Sequence, residues 1–194
     1  MVALDLFARR DFTSVTVRDI AKSCGINIAL IYYYFGSKEE LFRASIEHAI
    51  KQAIGGYRRL RIKQTDPIQS LEAWFDINVE LFDTLRKMAK VTIDYNFSTK
   101  SVESIDRMIE KLYEDERALL AENFRDGIRQ GLFRAIDAEA MARFVSTHLD
   151  GMFFGTMNRR NVDLTESMED LRRLLWDHLG MREPRRRGRA RADR

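Results

Sequence analysis

The 194-residue chain has few of the residues that interrupt helices or cross-link small folds. It holds only two prolines and ten glycines, and no stretch alternates apolar and polar residues as a strand does. Its single cysteine, Cys24, has no partner in the chain, which excludes a disulfide framework and fits a reducing cytosol. There is no run of about 18 apolar residues and no signal-peptide pattern at the start, so we predict a cytoplasmic protein without a membrane span.

Positive charge is concentrated at the C-terminal end. Residues 182–194 carry seven arginines and two acidic residues, a net charge of +5, so the other 181 residues carry −2 of the total +3. Overall basicity is therefore no evidence for nucleic-acid binding by the rest of the chain. We expect a disordered tail, which either attracts DNA without sequence preference or keeps the protein soluble.

The most informative stretch is residues 16–41, which predict two short helices, a tight turn and a third helix. Apolar residues recur at i, i+3, i+4 and i+7 and mark one buried helix face: Val17, Ile20, Ala21 and Cys24. Thr16 can cap this helix, Gly25 can end it in a left-handed conformation, and Asn27 can cap the next one. This is the helix-turn-helix arrangement, which places its second helix in a DNA major groove.

The second helix, residues 28–35, contains four consecutive aromatic residues, which cannot all be buried because a helix turns by about 100° per residue. We predict that Ile31, Tyr34 and Phe35 face inward. Ala29 and Tyr33 then face solvent, and the flanks are Ile28, Leu30 and Tyr32. The alternative is an aromatic-rich helix that belongs to the core.

The segment after this helix predicts a phosphate contact. Ser37 and Glu40 have the spacing of a capping box at the start of a third helix. Helix N-termini attract anions, and Lys38 lies in the first turn. We therefore predict that Lys38 contacts the DNA backbone; the alternative is a solvated lysine.

These motifs resemble the DNA-binding domain of the TetR family of bacterial transcriptional regulators, over about residues 2–45. The shared pattern is Thr16 with Arg18 two residues on, Ile20-Ala21, Gly25-Ile26, the run from Ile31 to Phe35, Ser37-Lys38-Glu39 and Leu41. Residues 2–10 resemble the first helix of the family's three-helix unit, with Val2, Ala3, Leu6 and Phe7 on one face. Two features depart from the family: the chain begins inside this helix, without an upstream basic arm, and Asp11 stands where glycine is usual.

The resemblance implies an all-α, homodimeric transcriptional regulator that represses from a DNA operator and is released by an unknown small-molecule effector. Its domains are expected at 1–45 for DNA binding and 46–181 for effector binding and dimerisation, with the basic tail at 182–194. The residues expected at the DNA are Thr16, Arg18, Asn27, Ile28, Ala29, Leu30, Tyr32, Tyr33 and Lys38. Arg18 is the candidate for pairing with a guanine edge, and Leu30 stands where the family often has a hydroxyl and can contact a thymine methyl.

Apolar periodicity predicts the remaining helices. We expect a linking helix from Leu41 to about Ile54 that ends or loosens at Gly55-Gly56. Further helices are expected at Pro67 to about Lys87 behind an Asp66 cap, Ala89–Phe97, Val102 to about Gln130, Ala138 to about Met157 behind Asp137, and a last one capped by Thr165 and ending at Gly180.

The family's effector pocket and dimer interface are then placed on these helices. Candidates for the pocket are Trp74, Asn78, Met88, Tyr95, Phe97, Met108 and Tyr113. Candidates for the interface are Phe144, His148, Gly151, Met152, Gly155, Leu171, Leu174 and Leu175. Apolar residues at helical spacing are more often core than ligand contacts, so packing within the chain is the alternative for both sets.

Two other functions compete with a regulator. An enzyme has little support, because the three histidines lack metal-ligand spacing and no nucleotide-binding glycine loop or nucleophile elbow is present. We therefore predict no catalytic residues, metal or cofactor. The other alternative is a helical ligand-binding or architectural DNA-binding protein without a specific operator.

Overall fold

The computed structural model describes residues 2–63, 66–96 and 103–181, and all regular secondary structure within them is α-helix, as the sequence predicts. No helix in those ranges combines the length and apolar composition needed to cross a bilayer. The helices are α1 Val2–Arg10, α2 Val17–Cys24, α3 Ile28–Phe35, α4 Lys38–Lys63, α5 Pro67–Glu80, α6 Phe82–Asn96, α7 Glu103–Arg129, α8 Ala138–Asn158 and α9 Leu164–His178. We call α1–α3 the head and α5–α9 the body, with α4 joining them.

The head closes over an aromatic cluster shared with α4. Phe7 and Phe12 both pack against the ring of Phe42, with centroids 5.0 and 4.8 Å away. Leu4 and Phe7 are the fully buried residues of α1, whereas Val2, which we had placed on the inner face, is exposed. Leu6 and Ala3 are half-buried. The inner face of α1 is therefore rotated from the one that the sequence predicted.

Helix α4 is longer than predicted, because it continues through Gly55-Gly56 to Lys63. A β-carbon added to Gly56 would lie 2.7 Å from Ile77 Cδ1 of α5, so this glycine permits a close helix contact. At the other end, the amide of Glu40 donates to Ser37 Oγ at 3.1 Å, the cap that the sequence predicts.

The largest error in the predicted helices lies between Pro67 and Asn96. Asp66 does cap α5, because its Oδ1 accepts from the amide of Ile68 at 2.9 Å. The helix then ends at Glu80 rather than near Lys87, and α6 begins at Phe82. Leu81 forms the junction with φ −89° and ψ 4°, and neither glycine nor proline marks it in the sequence.

Helix α9 is held on α5 by a polar cluster rather than by apolar contacts alone. Arg172 is buried, with its guanidinium 3.5 Å from Glu72, 3.3 Å from Asp76 and stacked over the ring of Phe75. The indole of Trp176 donates to Glu72 Oε1 at 2.8 Å. These contacts fix which side of α9 faces the body.

The cap of α9 also differs from the prediction. Asp163, not Thr165, occupies the cap position, and its Oδ1 accepts from the amide of Glu166 at 3.0 Å. The predicted bounds of α7 and α8 agree with the structure to within a residue, and Asp137 caps α8 as predicted. Gly180 follows α9 with a positive φ of 78°.

Helix packing predicts opposite effects for two glycine substitutions. Gly127 lies in α7, and an added β-carbon would meet the ring of Phe133 at 2.0 Å. Gly127→Ala should therefore lower the free energy of unfolding by about 1–3 kcal/mol. Gly55→Ala, the matched control in α4, meets nothing within 4 Å and should raise it by about 0.5–1 kcal/mol. Urea unfolding measures both; a loss at Gly55 equal to that at Gly127 would contradict the packing described here.

Candidate DNA interface and ligand cavity

The turn between α2 and α3 is built from caps that the sequence predicts. Thr16 and Asp19 form a capping box: the Asp19 amide donates to Thr16 Oγ1 at 3.1 Å, and the Thr16 amide donates to Asp19 Oδ2 at 3.0 Å. Hydrogen bonds from Thr16 lower the pKa of Asp19. Gly25 takes the left-handed conformation with φ 65°, and Asn27 Oδ1 accepts from the amide of Ala29 at 2.9 Å. Together these caps set the angle between the two helices.

Helix α3 is anchored by one buried side chain. Ile31 is 3 % exposed, whereas Tyr33 is 81 % exposed, and both orientations follow the prediction. The predicted inward orientation of Tyr34 is wrong, since it is 73 % exposed and stacks edge-on against Tyr33 with centroids 5.1 Å apart. Phe35, also expected inside, is only partly covered. An eight-residue helix that meets its neighbours along one narrow line has room to bury little besides Ile31.

The other predicted DNA residues mostly lie on the same open side. Arg18 is exposed in the first turn of α2 and forms no ion pair with any described residue. Ile28 is half-buried against the hydrophobic core. The remaining members of the set are exposed: Thr16, Asn27, Ala29, Leu30 and Tyr32. Cys24, which we had expected to pack inside, is exposed as well.

Lys38 has a structural role that the sequence did not suggest. Its ammonium donates to the carbonyl oxygens of Phe12 and Val15, at 2.9 and 3.1 Å, and lies 4.3 Å from the centre of the Phe12 ring. It thereby ties the loop after α1 to the start of α4. These bonds give the charge of Lys38 a role in the fold of the head, and its contact with a DNA phosphate stays a prediction.

Asp11 explains how the loop between α1 and α2 forms without the usual glycine. Its φ of 69° lies in the left-handed region. Its carboxylate accepts from Thr13 Oγ1 at 2.6 Å and from the amide of Ser14 at 2.9 Å, and these bonds lower its pKa to about 2. An aspartate tolerates this conformation better than most residues, because its short side chain bonds locally.

The geometry of the head agrees with a family comparison. Residues 2–45 match the model described as bacterial regulatory proteins, tetR family. Over these residues the chain carries a DNA-binding domain of the TetR type. It is therefore a DNA-binding transcriptional regulator.

Several regulators resemble this chain along most of their length. The transcriptional repressor KstR2 of Mycolicibacterium smegmatis is 26 % identical over 147 residues, which are 74 % of this chain and 70 % of the relative. A putative regulator from Saccharomonospora viridis, solved with choline, has a TM-score of 0.78 at 24 % identity, with 91 % and 92 % of the two chains covered. The structure of KstR2 from Mycobacterium tuberculosis has a TM-score of 0.67 at 22 % identity, with 92 % and 90 % covered. At this identity the solved structures establish a shared fold.

The body contains a small cavity of about 30 Å³ between α6, α7 and α8. Its wall combines apolar side chains with two carboxyl groups: Leu85, Met88, Ala89, Leu112, Tyr113, Glu116, Leu149, Asp150 and Phe153. Glu116 is 6 % exposed, and its Oε2 accepts from Ser146 Oγ at 2.8 Å. Burial raises the pKa of Asp150 to about 6, and burial together with the Asp150 charge raises that of Tyr113.

Only part of the predicted pocket lines this cavity. Met88 and Tyr113 do, whereas Trp74 and Tyr95 are buried in the hydrophobic core and Met108 packs against it. Asn78 is also buried, and its amide donates to the carbonyl of Trp74 at 2.9 Å. Phe97 lies outside the described residues. Glu116 and Asp150 were missed because acidic residues on long helices are usually solvated.

The predicted dimer residues divide into two groups. Four of them are buried within the chain, where a second subunit cannot contact them: Met152, Gly155, Leu171 and Leu175. Their assignment to the interface is therefore wrong. The other four are exposed: Phe144, His148, Gly151 and Leu174. Phe154, which the sequence analysis overlooked, is 52 % exposed and continues the stripe along α8. Each helix therefore presents one apolar face to the body and a second, narrower one to solvent.

The role of Lys38 makes a prediction about stability. Lys38→Met leaves the carbonyls of Phe12 and Val15 without their donor, so it should lower the free energy of unfolding by about 1–3 kcal/mol. Lys22→Met, at an exposed position of α2, is the control and should change it by less than about 0.5 kcal/mol. Thermal and urea unfolding measure the difference. Equal stability of the two variants would contradict the stabilising role of Lys38 and favour its predicted contact with DNA.

The burial of Asp150 makes a prediction about pH. Because its pKa rises from 3.8 to about 6, the folded state binds the proton more tightly than the unfolded chain, and the ionised group costs stability above about pH 6. Asp150→Asn should thus raise the free energy of unfolding near neutral pH by on the order of 1 kcal/mol. The gain should disappear as the pH falls from 6 towards 4. Glu139→Gln, exposed on the same helix, is the control, and a gain independent of pH would contradict the assignment.

Proposed function

We propose that the protein is a homodimeric, cytoplasmic repressor that binds a near-palindromic double-stranded DNA operator and leaves it when a small molecule enters the body. Residues 1–45 bind DNA, residues 46–181 bind the effector and the second subunit, and no catalytic step or cofactor is involved. A repressor among the relatives supports the sign of regulation. A structural neighbour solved with choline supports a small-molecule effector.

The observation that carries the proposal is the exposed aromatic surface of α3. Leu30, Tyr32, Tyr33 and Tyr34 are between 46 and 81 % exposed on one eight-residue helix. Apolar side chains crowded on a surface mark a binding site. In the major groove, the tyrosine hydroxyls contact phosphates, and Ala29 and Leu30 approach base edges. Tyr34 joins this set, and Thr16 and Arg18 contact the DNA from α2.

A symmetric dimer supplies a second copy of α3 as the recognition helix for the other half-site. The exposed stripe of α8 has Phe144, His148, Gly151 and Phe154 at helical spacing, and Leu174 of α9 is 63 % exposed. Nothing lies within 4 Å of a β-carbon added to Gly151, so a second helix can approach closely there. Pairing of these faces about a two-fold axis lets the two heads meet half-sites about 34–36 Å apart.

Helix α6 connects the cavity to the head. Met88 lines the cavity, while the neighbouring Lys87 points to α1, with its ammonium 2.7 Å from Asp5 Oδ1. Further along α6, the ring of Tyr95 lies 5.9 Å from that of Phe42 in α4. A ligand that displaces α6 therefore changes the position of α1 and α4, and the spacing of the heads no longer matches the operator.

The DNA contact of Arg18 is tested by substitution. An operator is first selected from a randomised duplex library with the wild-type protein. Arg18→Ala should bind it about 5- to 100-fold more weakly, because a bidentate contact with guanine contributes about 1–3 kcal/mol. Arg129→Ala, exposed on α7, is the control and should bind normally. Unchanged affinity of Arg18→Ala, measured by fluorescence anisotropy, would rule out this DNA-facing side of α2.

The dimer face is tested by charge insertion. Phe144→Glu with Leu174→Glu should convert the dimer to a folded monomer, because buried carboxylates without partners oppose association. Light scattering after size exclusion gives the mass, and circular dichroism checks the fold. Leu30→Glu, at an exposed position of α3, is the control and should remain dimeric. A doubly substituted protein that stays dimeric would place the interface elsewhere.

A further inference from the structure

The cavity between α6, α7 and α8 has an uneven distribution of charge. Its α6 wall is apolar, from Leu85, Met88 and Ala89, whereas Glu116 of α7 and Asp150 of α8 are acidic. The Tyr113 hydroxyl donates to Asp150 Oδ1 at 3.4 Å, a long contact. Among residues 2–63, 66–96 and 103–181, no basic side chain pairs with Asp150, and burial and the Tyr113 hydroxyl are the influences on its pKa. The carboxylate is therefore half-buried, with only a weak neutral partner.

Such a site favours one class of ligand. Burial of a carboxylate is unfavourable unless a positive charge accompanies it, and a cation that enters the cavity supplies that charge. The rings of Tyr113 and Phe153 border the same space, and aromatic faces attract organic cations, ammonium groups above all. An anion would be repelled by the two acidic residues, and a neutral ligand would leave Asp150 without its counter-charge.

We propose that the effector is a small organic cation, a protonated amine or quaternary ammonium compound, with its charge beside Asp150 and between the rings of Tyr113 and Phe153. This rests on the proposed function, in which the cavity is the effector site. The apolar part of the ligand lies against the α6 wall.

Binding requires the cavity to open. About 30 Å³ is room for one water molecule, less than a trimethylammonium group occupies. Phe153 lines the cavity, and Phe82, which it contacts, lines a groove on the outside together with Arg86. Its ring stacks on that of Phe82 with centroids 5.7 Å apart, and Phe82 is the first residue of α6. A ligand that pushes Phe153 aside thus acts on α6, the helix that contacts the head.

The test compares ligands of one shape and different charge. Isothermal titration of the full-length dimer near neutral pH uses choline and benzyltrimethylammonium, the uncharged choline isostere 3,3-dimethylbutan-1-ol, and hexanoate. We expect a cation to bind at least about 10-fold more tightly than the isostere, and hexanoate not to bind, since a buried charge pair contributes more than about 1.4 kcal/mol. Failure of both cations to bind, or equal binding of the isostere, would overturn the proposal.

Asp150→Asn tests the residue itself. It keeps the shape of the side chain and should reduce the affinity for the cation about 10- to 100-fold, to the level of the neutral isostere. Glu139→Gln is the matched control on the same helix and should bind normally. Unchanged binding by Asp150→Asn would overturn the assignment.

The pH dependence of binding by the wild-type protein tests Asp150 without a variant that could misfold. Affinity for the cation should fall as the pH is lowered from about 7.5 to 5, because protonation removes the charge of Asp150. The other titratable groups on the cavity wall are Tyr113 and Glu116 of α7, and α6 contributes none. An affinity for choline that is constant over this range would count against the site.

Release of operator DNA distinguishes the cation site at Asp150 from the proposed function as a ligand-responsive repressor. A cation that binds at Asp150 and releases operator DNA supports both. A cation that binds without releasing DNA supports the site and contradicts its role in regulation. Release by hexanoate, with no binding of either cation, overturns the ligand class and leaves a ligand-responsive repressor intact.

Discussion

The burial of Ile31 is the contact on which the DNA-binding surface depends. Because α3 inserts only this side chain fully into the head, nearly all of its remaining surface faces outward. The left-handed Gly25 and the Asn27 cap fix the start of the helix, and Ile31 fixes its rotation. A rotation of α3 by one residue, about 100°, would bury a tyrosine and withdraw the exposed face from DNA.

The head is not an independent unit, because its hydrophobic core continues into the body. Helix α4 supplies Leu41 and Phe42 near the head and Ile46, Ala49 and Ile50 further along, all in one cluster of buried residues. On the other side of the head, Lys87 is shared between Asp5 of α1 and Asp83 of its own helix, and these bonds raise its pKa. Apolar contacts of α4 and an ion pair of α6 therefore both join the body to the head. The proposed response to a ligand needs such a connection, since a change in the body must reach the head.

Local signals in the sequence predicted the parts of the fold that local chemistry decides. The caps at Thr16, Asn27, Asp66 and Asp137 were predicted correctly, because a side chain that bonds a nearby amide leaves a short, recognisable pattern. The junction at Leu81 was missed because no helix-breaking glycine or proline marks it in the sequence.

Residues whose role depends on distant partners were the harder ones to predict. Lys38 bonds two carbonyls more than twenty residues away, and no pattern in the sequence around Lys38 predicts these partners. Tyr34 has the spacing of a core residue, but α3 is too short and too weakly covered to bury it. On α8 and α9 periodicity detected apolar residues without separating the face that meets the body from the one that meets solvent. Asp150 and Glu116 become a pair in a cavity only when α7 and α8 are packed together.

We propose that a symmetric dimer holds two α3 helices at the spacing of successive major grooves. The sole cysteine, Cys24, is exposed on the head, so one spin label per subunit reports the distance between the heads. With operator DNA bound, pulsed electron spin resonance should give one narrow distance close to a turn of DNA, about 34–36 Å allowing for the label. Absence of dipolar coupling, or a broad distribution unaffected by operator, would contradict the account.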